Sequence, residues 1–303
     1  MIDYVTLIID EDKTRQIENE YYNYQVENGN EYIIFQAKLP NLIVTIYYSE
    51  KKGFKALFQG ENALEEAKKF DKNAKINEKK EKENISWQYL KDQIGSDEVG
   101  TGDFFGPVIV VASFIEESLI EYLKELKVND SKKLKDQQIL KIVPKLLDKV
   151  IFSKLTCHND KYNEQIENKQ NMNSIKAILH NQALINVKNK VGKSPMIFID
   201  QFCDEKIYYY YLYGKKEILK DNVVFRTKGE SYYPSVAVSS MIARYSFLKE
   251  MEVLSQKYGM EFPKGASLSV DEFAKKFVEK FGIDEMRNVC KMNFSNYSKL
   301  INK

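Results

Sequence analysis

A charged stretch with few apolar residues divides the sequence into two unlike parts. Between residues 66 and 86, lysines alternate with aspartates and glutamates. This composition is typical of a solvated helix or a linker, because it buries too little apolar surface to form a core. A tail that binds nucleic acid is the alternative, which the mixed signs of charge disfavour. We therefore predict two domains, residues 1–65 and 91–303, joined by a charged linker over residues 66–90.

The first part has the pattern of a small sheet covered by helices. A strand is predicted over residues 1–9 and a polar helix over residues 11–24. Three runs rich in β-branched and aromatic residues predict further strands, at residues 32–38, 42–48 and 54–58. A short helix begins near Glu61. The order β-α-β-β-β-α predicts an antiparallel sheet with helices on one face.

In the second part, predicted strands alternate with predicted helices, which is the order of an α/β domain. The strands are predicted at residues 94–98, 108–114, 150–156, 196–200 and 223–227. The helices are predicted at residues 116–126, 135–148, 171–190, 207–213, 234–258 and 270–281. A glycine-rich turn joins the first two strands.

Four acidic residues lie where predicted strands end or turn. Asp97 and Glu98 end the first strand of the second part, Asp200 closes an apolar strand, and Glu230 follows the last one. Ligand sites gather at strand ends in α/β sheets. A carboxylate that closes an apolar strand is costly unless it is paired or binds a cation. Several such carboxylates repel one another, and a divalent metal offsets that repulsion.

Two of these acids also have an ordinary structural explanation. Asp200 could cap the helix that follows it, and Glu230 could lie in the turn that precedes the helix beginning at Pro234. The sequence alone leaves both alternatives open.

The loop after the first strand contains Gly100, Gly102 and Gly106. Asp97 and Glu98 point to opposite faces of a regular strand, so they share one site only if the strand stops there, as the glycines would allow. Glycines also let a backbone approach a ligand closely, and backbone groups could recognise a ribose 2′-hydroxyl. A tight hairpin turn is an equal alternative. The loop matches neither the Walker nor the dinucleotide-binding pattern.

Cysteine and histidine usage limits the kind of metal site. The three cysteines are widely spaced, without a CxxC pair, and the chain has two histidines. These residues predict neither a disulfide framework nor a zinc site. Any metal should therefore have oxygen ligands, which favours magnesium or manganese.

Charge and hydropathy exclude other classes. The net charge is +2, so any nucleic-acid binding would need lysines gathered on one face. No apolar run approaches the roughly 20 residues that span a bilayer, and the start of the chain does not resemble a signal peptide. We expect a cytoplasmic protein with no membrane association, and the sequence indicates neither an oligomer nor a protein partner, so we expect a monomer.

Several motifs, in one order, resemble those of the type 2 ribonucleases H. They are Ser96–Pro107 (SDEVGTGDFFGP), Asn129–Leu134, Tyr162-Asn163, Leu179–Asn181, Ile199–Phe202, Thr227–Ser231, Ile242–Tyr245, Pro263–Ala266 and Lys291. The Gly-Thr-Gly-Asp and Phe-Gly-Pro forms are similar to ribonuclease HIII, whereas ribonuclease HII usually has Gly-Arg-Gly. The resemblance covers nearly all of residues 94–297.

This resemblance implies a ribonuclease H-like catalytic domain and a TATA-binding-protein-like, substrate-binding N-terminal domain. It implies hydrolysis of the RNA strand of RNA–DNA hybrids, leaving 5′-phosphate and 3′-hydroxyl ends, with Mg²⁺ or Mn²⁺ as cofactor, two ions per site. The implied catalytic and metal-binding residues are Asp97, Glu98, Asp200 and Glu230. The implied substrate-binding residues are Gly100, Thr101, Gly102, Ser131 and Lys132.

One position departs from the family pattern, and two other functions compete. The family's tail usually reads Lys-x-His-Phe-x-Asn, but Asn293 stands where the histidine is expected. Incision at single ribonucleotides in duplex DNA, as in ribonuclease HII, is one alternative. A non-catalytic nucleic-acid-binding protein is the other, and the presence of all four carboxylates argues against it.

Overall fold

The computed structural model describes residues 4–27, 32–50, 53–77, 87–128 and 134–301. The chain divides into an N-terminal unit, residues 1–84, and a C-terminal unit, residues 85–303. No helix in the described ranges combines the length and the apolar character needed to cross a membrane.

The N-terminal unit is a four-stranded antiparallel sheet with helices on one face. Its elements are β1 (Tyr4–Ile9), α1 (Glu11–Tyr21), β2 (Ile33–Leu39), β3 (Leu42–Ser49), β4 (Gly53–Gly60) and α2 (Ala63–Lys68). The strand order is β1-β4-β3-β2. Alternate strand residues such as Val5, Val44 and Phe58 are fully buried with Ile17 of α1, as expected when one sheet face is covered. The predicted order β-α-β-β-β-α is confirmed.

The segment after α2 packs on this unit, which differs from the linker predicted from residue 66. Ala67 and Ala74 are buried in the N-terminal core, and Phe70 packs against it. These three residues recur every three or four positions, so few apolar side chains suffice to hold a mostly charged segment in place. The backbone N–H of Asn77 also donates to Tyr4 O at 2.9 Å.

The C-terminal unit is built on a five-stranded mixed sheet. Its strands are β5 (Gln93–Val99), β6 (Val108–Ile115), β7 (Ile151–Cys157), β8 (Met196–Asp200) and β9 (Val223–Arg226). The order is β7-β6-β5-β8-β9. β5 pairs antiparallel with β6 and parallel with β8. The predicted α/β class is confirmed. Because β5 and β8 are parallel, their C-terminal ends lie side by side at the same end of the sheet.

Helices cover both faces of this sheet. They are α3 (Ile120–Glu125), α4 (Asp136–Ile142), α5 (Pro144–Leu147), α6 (Asn159–Glu167), α7 (Met172–Val191), α8 (Glu205–Tyr211), α9 (Pro234–Tyr258), α10 (Leu268–Phe281), α11 (Met286–Val289) and α12 (Ser295–Ile301). α9 packs with Ile109 and Val111 on one face, and α7 packs with Val110 and Ala112 on the other. Residues that alternate along β6 therefore face different helices.

Candidate active site

Asp97 lies on β5 and is 7% exposed. Its Oδ1 accepts a hydrogen bond from the backbone N–H of Glu98 at 2.7 Å. Burial and the negative charges of Glu98 and Asp200 raise the pKa of the Asp97 carboxyl well above its usual range, against the hydrogen bond from Ser240 on α9. Asp97 is therefore an acid within electrostatic reach of two other carboxylates, on the face of the sheet covered by α9.

Asp200 ends β8, beside Asp97. Ser96 pairs with Ile199 in the parallel register of β5 and β8, so Asp97 and Asp200 occupy the next matching positions. Residues that match in a parallel ladder point to the same face. Asp200 does not cap α8, because Asp204 fills that position and accepts from the backbone N–H of Lys206 at 2.9 Å.

Glu230 lies in a single 3₁₀ turn, Gly229–Ser231, before α9. The backbone N–H of Gly229 donates to Asp200 Oδ1 at 2.7 Å. A side chain at Gly229 would meet Val236 of α9 at 3.3 Å, which is tighter than an ordinary contact. The glycine therefore lets the turn approach Asp200, and Glu230 follows it directly in the chain.

Glu98 faces the other layer of the unit. Its Oε1 accepts from Lys176 Nζ at 2.9 Å, and its Oε2 is 3.0 Å from His180 Nε2. Burial alone would raise the pKa of Glu98, but the His180 hydrogen bond and the nearby charges of His180 and Lys176 lower it. His180 Nδ1 is in turn 2.8 Å from Ser96 Oγ. The Glu98 carboxylate is thus held by α7.

The predicted end of β5 at Glu98 is one residue short, and the strand does not break between the two acids. The strand continues to Val99, and its pairing with β6 includes both Asp97 and Glu98. The two acids therefore keep the alternation of a regular strand, with Ser240 beside one and Lys176 beside the other. Because the strand ends only after Val99, any ligand common to both must bind at the sheet edge.

Lys176, His180 and Ser240 complete the surroundings of these acids. His180 lies in the motif Leu179–Asn181 but was given no role from the sequence, and Lys176 and Ser240 were not singled out at all. Lys176 and His180 are four residues apart on α7, so they project from the same side of the helix. That spacing is the sequence signal that could have identified them. Ser240 carries no comparable signal, because a serine in a long helix has many ordinary roles.

The donor set fits a divalent cation, although the described residues do not form a complete coordination sphere. Asp97, Glu98 and Asp200 offer buried or half-buried oxygen ligands of the kind that Mg²⁺ and Mn²⁺ prefer. Their mutual repulsion, seen in the raised pKa of Asp97, is what a cation would relieve. Within the described residues, no three His, Cys, Asp or Glu side chains are already placed to hold a metal ion. Both oxygens of Glu98 are instead occupied by Lys176 and His180.

The glycine loop connects β5 to β6. Gly100 has φ +86°, and a side chain there would lie 2.1 Å from Pro107 O. Gly102 is exposed and has open space around it. Thr101 is half-buried between them. Ser131 and Lys132, the other predicted substrate contacts, lie outside the described residues.

Comparisons with known proteins agree with this architecture. A sequence model of the ribonuclease HII family matches residues 94–297. Ribonuclease HIII of Bacillus mycoides (strain KBAB4) is 42% identical over 276 residues, covering 88% of this chain and 87% of the relative. The chain belongs to the ribonuclease HIII family. It is accordingly a ribonuclease H enzyme, and the predicted membership is confirmed.

Solved structures show the same fold. Bst-RNase HIII, determined in complex with Mn²⁺, matches with a TM-score of 0.69 and 31% identity over 99% of this chain and 98% of its own. The ribonuclease H2 of Pyrococcus horikoshii OT3 matches with a TM-score of 0.57 and 25% identity over 70% of this chain and 97% of its own. Residues 5–84 match a family described as a domain of unknown function (DUF3378).

Proposed function

We propose that this ribonuclease H hydrolyses the RNA strand of RNA–DNA hybrids, with Asp97, Glu98, Asp200 and Glu230 as metal-binding and catalytic residues. The observation that carries the proposal is the strand register, which puts Asp97 and Asp200 in matching positions at the end of neighbouring parallel strands. The hydrogen bond from the Gly229 N–H to Asp200 Oδ1 supports including Glu230, which is the next residue in the chain. Mn²⁺ in the complex of Bst-RNase HIII supports a divalent cofactor.

Side chains and backbone N–H groups of the protein would hold the proposed metal-binding acids in place for cleavage of a phosphodiester. Divalent ions, when bound, activate an attacking water and stabilise the leaving oxygen, which leaves 5′-phosphate and 3′-hydroxyl ends. Ser240 and the Glu98 backbone N–H hold Asp97, and the Gly229 N–H holds Asp200. Lys176 and His180 hold the Glu98 carboxylate. The exposed backbone at Gly102 is open to an approaching RNA strand.

The N-terminal unit supplies a second surface for the hybrid in this proposal. On one face of its sheet, Ile8, Lys55 and Tyr47 form a row across three strands. Lys55 Nζ lies 5.6 Å from the centre of the Tyr47 ring, and Ile8 is 76% exposed. A lysine beside a half-buried ring on a sheet suits contacts with a nucleic-acid backbone and its bases.

Paired substrates test the proposal. A continuous RNA–DNA hybrid and a DNA duplex with one embedded ribonucleotide are digested in Mg²⁺, in Mn²⁺ and in EDTA. We expect cleavage of the continuous hybrid, weak cleavage of the duplex, and none in EDTA. Preference for the single ribonucleotide would favour the ribonuclease HII type of incision instead.

Asp97→Asn is the matched variant, because it keeps the size of the side chain and removes its charge. We expect a loss of cleavage of at least about a thousandfold, the scale for removing one essential catalytic group. Hybrid binding should remain. The metal-free variant should melt at a higher temperature than wild type, because the repulsion among buried carboxylates is reduced. Undiminished cleavage would contradict the assignment.

A further inference from the structure

Lys291 is a fully buried lysine that binds backbone. The residue is 0% exposed, and its Nζ donates to Asp103 O at 2.7 Å and to Gly106 O at 2.6 Å. Among the described residues no carboxylate oxygen lies within ion-pair distance of it, and the negative charge of Asp103 acts on it from farther away. A buried ammonium group is costly unless its hydrogen bonds are satisfied. The carbonyls of Asp103 and Gly106 are therefore the partners that stabilise the buried side chain. Burial lowers the pKa of Lys291 to about 7.

Backbone groups of Lys291 and its neighbours in the chain also form hydrogen bonds with this loop. The N–H of Lys291 donates to Phe104 O at 2.9 Å, and the N–H of Gly106 donates to Val289 O at 3.0 Å. Phe105 and Cys290 form an antiparallel bridge. A short stretch near the end of the described chain thus lies alongside the loop as an extra strand-like segment.

Other parts of the unit hold both segments. Asn159 Nδ2 of α6 donates to the same Gly106 carbonyl at 2.9 Å. Asn163 Nδ2 donates to Cys290 O at 2.9 Å, and Asn163 Oδ1 accepts from the N–H of Met292 at 3.0 Å. The Lys291 segment is therefore itself fixed on α6 and cannot shift without breaking several hydrogen bonds.

The fixed part of the loop is in direct contact with its glycine end. Lys291 binds the Gly106 carbonyl, which is joined to Pro107. The Pro107 carbonyl packs so closely on Gly100 that a side chain at Gly100 would be 2.1 Å from it. The positions of Gly106 and Pro107 therefore fix the position of Gly100. Gly102, two residues later, faces open space.

We propose that Lys291 is a positioning residue for recognition of the RNA strand. It holds the backbone from Asp103 to Gly106 so that Gly100, Thr101 and Gly102 present their backbone groups to the 2′-hydroxyls of the substrate. This inference rests on the proposed function. The Lys291 ammonium binds the loop and none of the four acids, so Lys291 acts on substrate recognition and not on the chemical step.

The test compares Lys291→Met with wild type on a set of hybrids. One hybrid is unmodified, and in each of the others a single ribonucleotide near the cleavage site is replaced by its 2′-deoxy form. For wild type we expect a rise in KM of about fivefold to tenfold at one or more positions, the size of one lost hydrogen bond. For Lys291→Met we expect a KM on the unmodified hybrid that is raised about as much, kcat within about threefold of wild type, and no further 2′-deoxy effect.

Lys299→Met is the control, because Lys299 follows in the same C-terminal segment and its Nζ binds the carboxylate of Asp271 at 2.7 Å. It should keep the full 2′-deoxy effect. Binding of the same hybrids in the Asp97→Asn background, measured by fluorescence anisotropy, should give the same pattern without turnover.

A wild-type 2′-deoxy effect that persists in Lys291→Met would overturn the inference. If wild type does not cleave the unmodified hybrid, the proposed function itself fails, which is a different result. Should Lys291→Met not fold, Asn159→Ala removes one hydrogen bond to the same Gly106 carbonyl. It should reduce the 2′-deoxy effect partly, and an unchanged effect there would also overturn the inference.

Discussion

The buried ion pair of Lys176 and Glu98 is a residue-scale feature with a measurable consequence. Their side chains are 8% and 11% exposed, and the two charged atoms are 2.9 Å apart. If Glu98 binds metal as proposed, the ammonium of Lys176 competes with the ion for the same carboxylate. At such a distance, and with limited screening, a positive charge disfavours a divalent cation by well over 1 kcal/mol.

Lys176→Met should therefore bind Mn²⁺ more tightly than wild type, by about tenfold or more on the same electrostatic argument. The metal-free variant should be less stable, because Glu98 keeps a buried charge with one partner fewer. Isothermal titration calorimetry and thermal melts with and without Mn²⁺ measure both effects. Lys249→Met, which breaks a surface pair with Glu252, should change neither. Weaker Mn²⁺ binding by Lys176→Met would mean that the lysine orients Glu98 for the metal.

Lys291 gives a pH dependence of stability that can be isolated. The pKa of Lys291 is about 7 in the folded protein, against 10.5 for an ordinary lysine such as that of the unfolded chain. Between pH 7 and pH 10.5 the unfolded chain therefore binds more protons than the folded one. Stability contributed by this residue therefore rises with pH above about 7 and levels off near 10.5, with a slope of up to about 1.4 kcal/mol per pH unit. Urea unfolding at several pH values should show that the free energy of unfolding of wild type rises relative to that of Lys291→Met between about pH 7 and pH 10.5. A difference that does not vary with pH would contradict the prediction.

At this scale the sequence allows the candidate acids to be chosen but not the direction of their side chains. Asp97 and Glu98 are adjacent, and the glycines after them suggested that the strand ends early. The strand instead continues to Val99, because β6 supplies pairing partners on one side through that residue. The hydrogen bonds of Lys176 and His180 to Glu98 come from residues about 80 positions away in the chain, and no local pattern specifies such contacts.

At the scale of elements, the contact of β5 with the start of α9 depends on one glycine. A side chain at Gly95 would lie 2.4 Å from Ser235 Oγ and 2.5 Å from Val236 N. Backbone at that distance cannot move away without displacing the helix. Ser239 Oγ also donates to Gly95 O at 2.8 Å, so strand and helix are joined at this position.

Gly95→Ala should reduce the free energy of unfolding by about 3 kcal/mol or more, the range for overpacking a tight core. Gly102→Ala is the matched control, because its position has open space, and it should change stability by less than about 1 kcal/mol. Denaturant unfolding followed by fluorescence measures both. Trp87 is the chain's one tryptophan and lies in the core of the C-terminal unit, so its emission reports on this unit. Equal stability of the two variants would contradict the close-packing argument.

Long periodic elements are predictable from the sequence, and short polar ones are not. α9 and β8 begin and end at the predicted residues. The predicted helix over residues 135–148 is two helices, because Pro144 cannot continue the hydrogen-bond ladder and starts a new helix. α6 was not predicted. Its buried residues include Asn159 and Asn163, which are held by hydrogen bonds to distant backbone and not by an apolar stripe.

At the scale of the whole molecule, the chain folds into two units. Each has its own buried core, and the fold class predicted for the chain is confirmed by relatives and by solved structures. The boundary is harder to predict, because the charged composition after residue 66 does not show that Phe70 and Ala74 pack on the N-terminal core.

A chain that begins at residue 85 should fold and keep cleavage, with weaker binding to the hybrid. It retains Trp87 and the complete C-terminal core. The loss of the Lys55 and Tyr47 surface should raise KM about tenfold or more and reduce the dependence of binding on salt, because fewer phosphate contacts remain. Steady-state cleavage and anisotropy at several salt concentrations measure this. Unchanged affinity and salt slope would assign the N-terminal unit another role.

The contact between Lys291 and the glycine loop also sets an order of events during synthesis. Lys291 lies 185 residues after Gly106. At translation rates of roughly 5–20 residues per second, the loop leaves the ribosome about 10–40 seconds before the lysine that fixes it. Of the four proposed metal-binding acids, Asp97 and Glu98 are made before the loop ends, and Asp200 and Glu230 are made within that interval. A nascent chain would thus carry a metal site before it carries a finished recognition loop, and its selectivity for RNA would be the last property to mature.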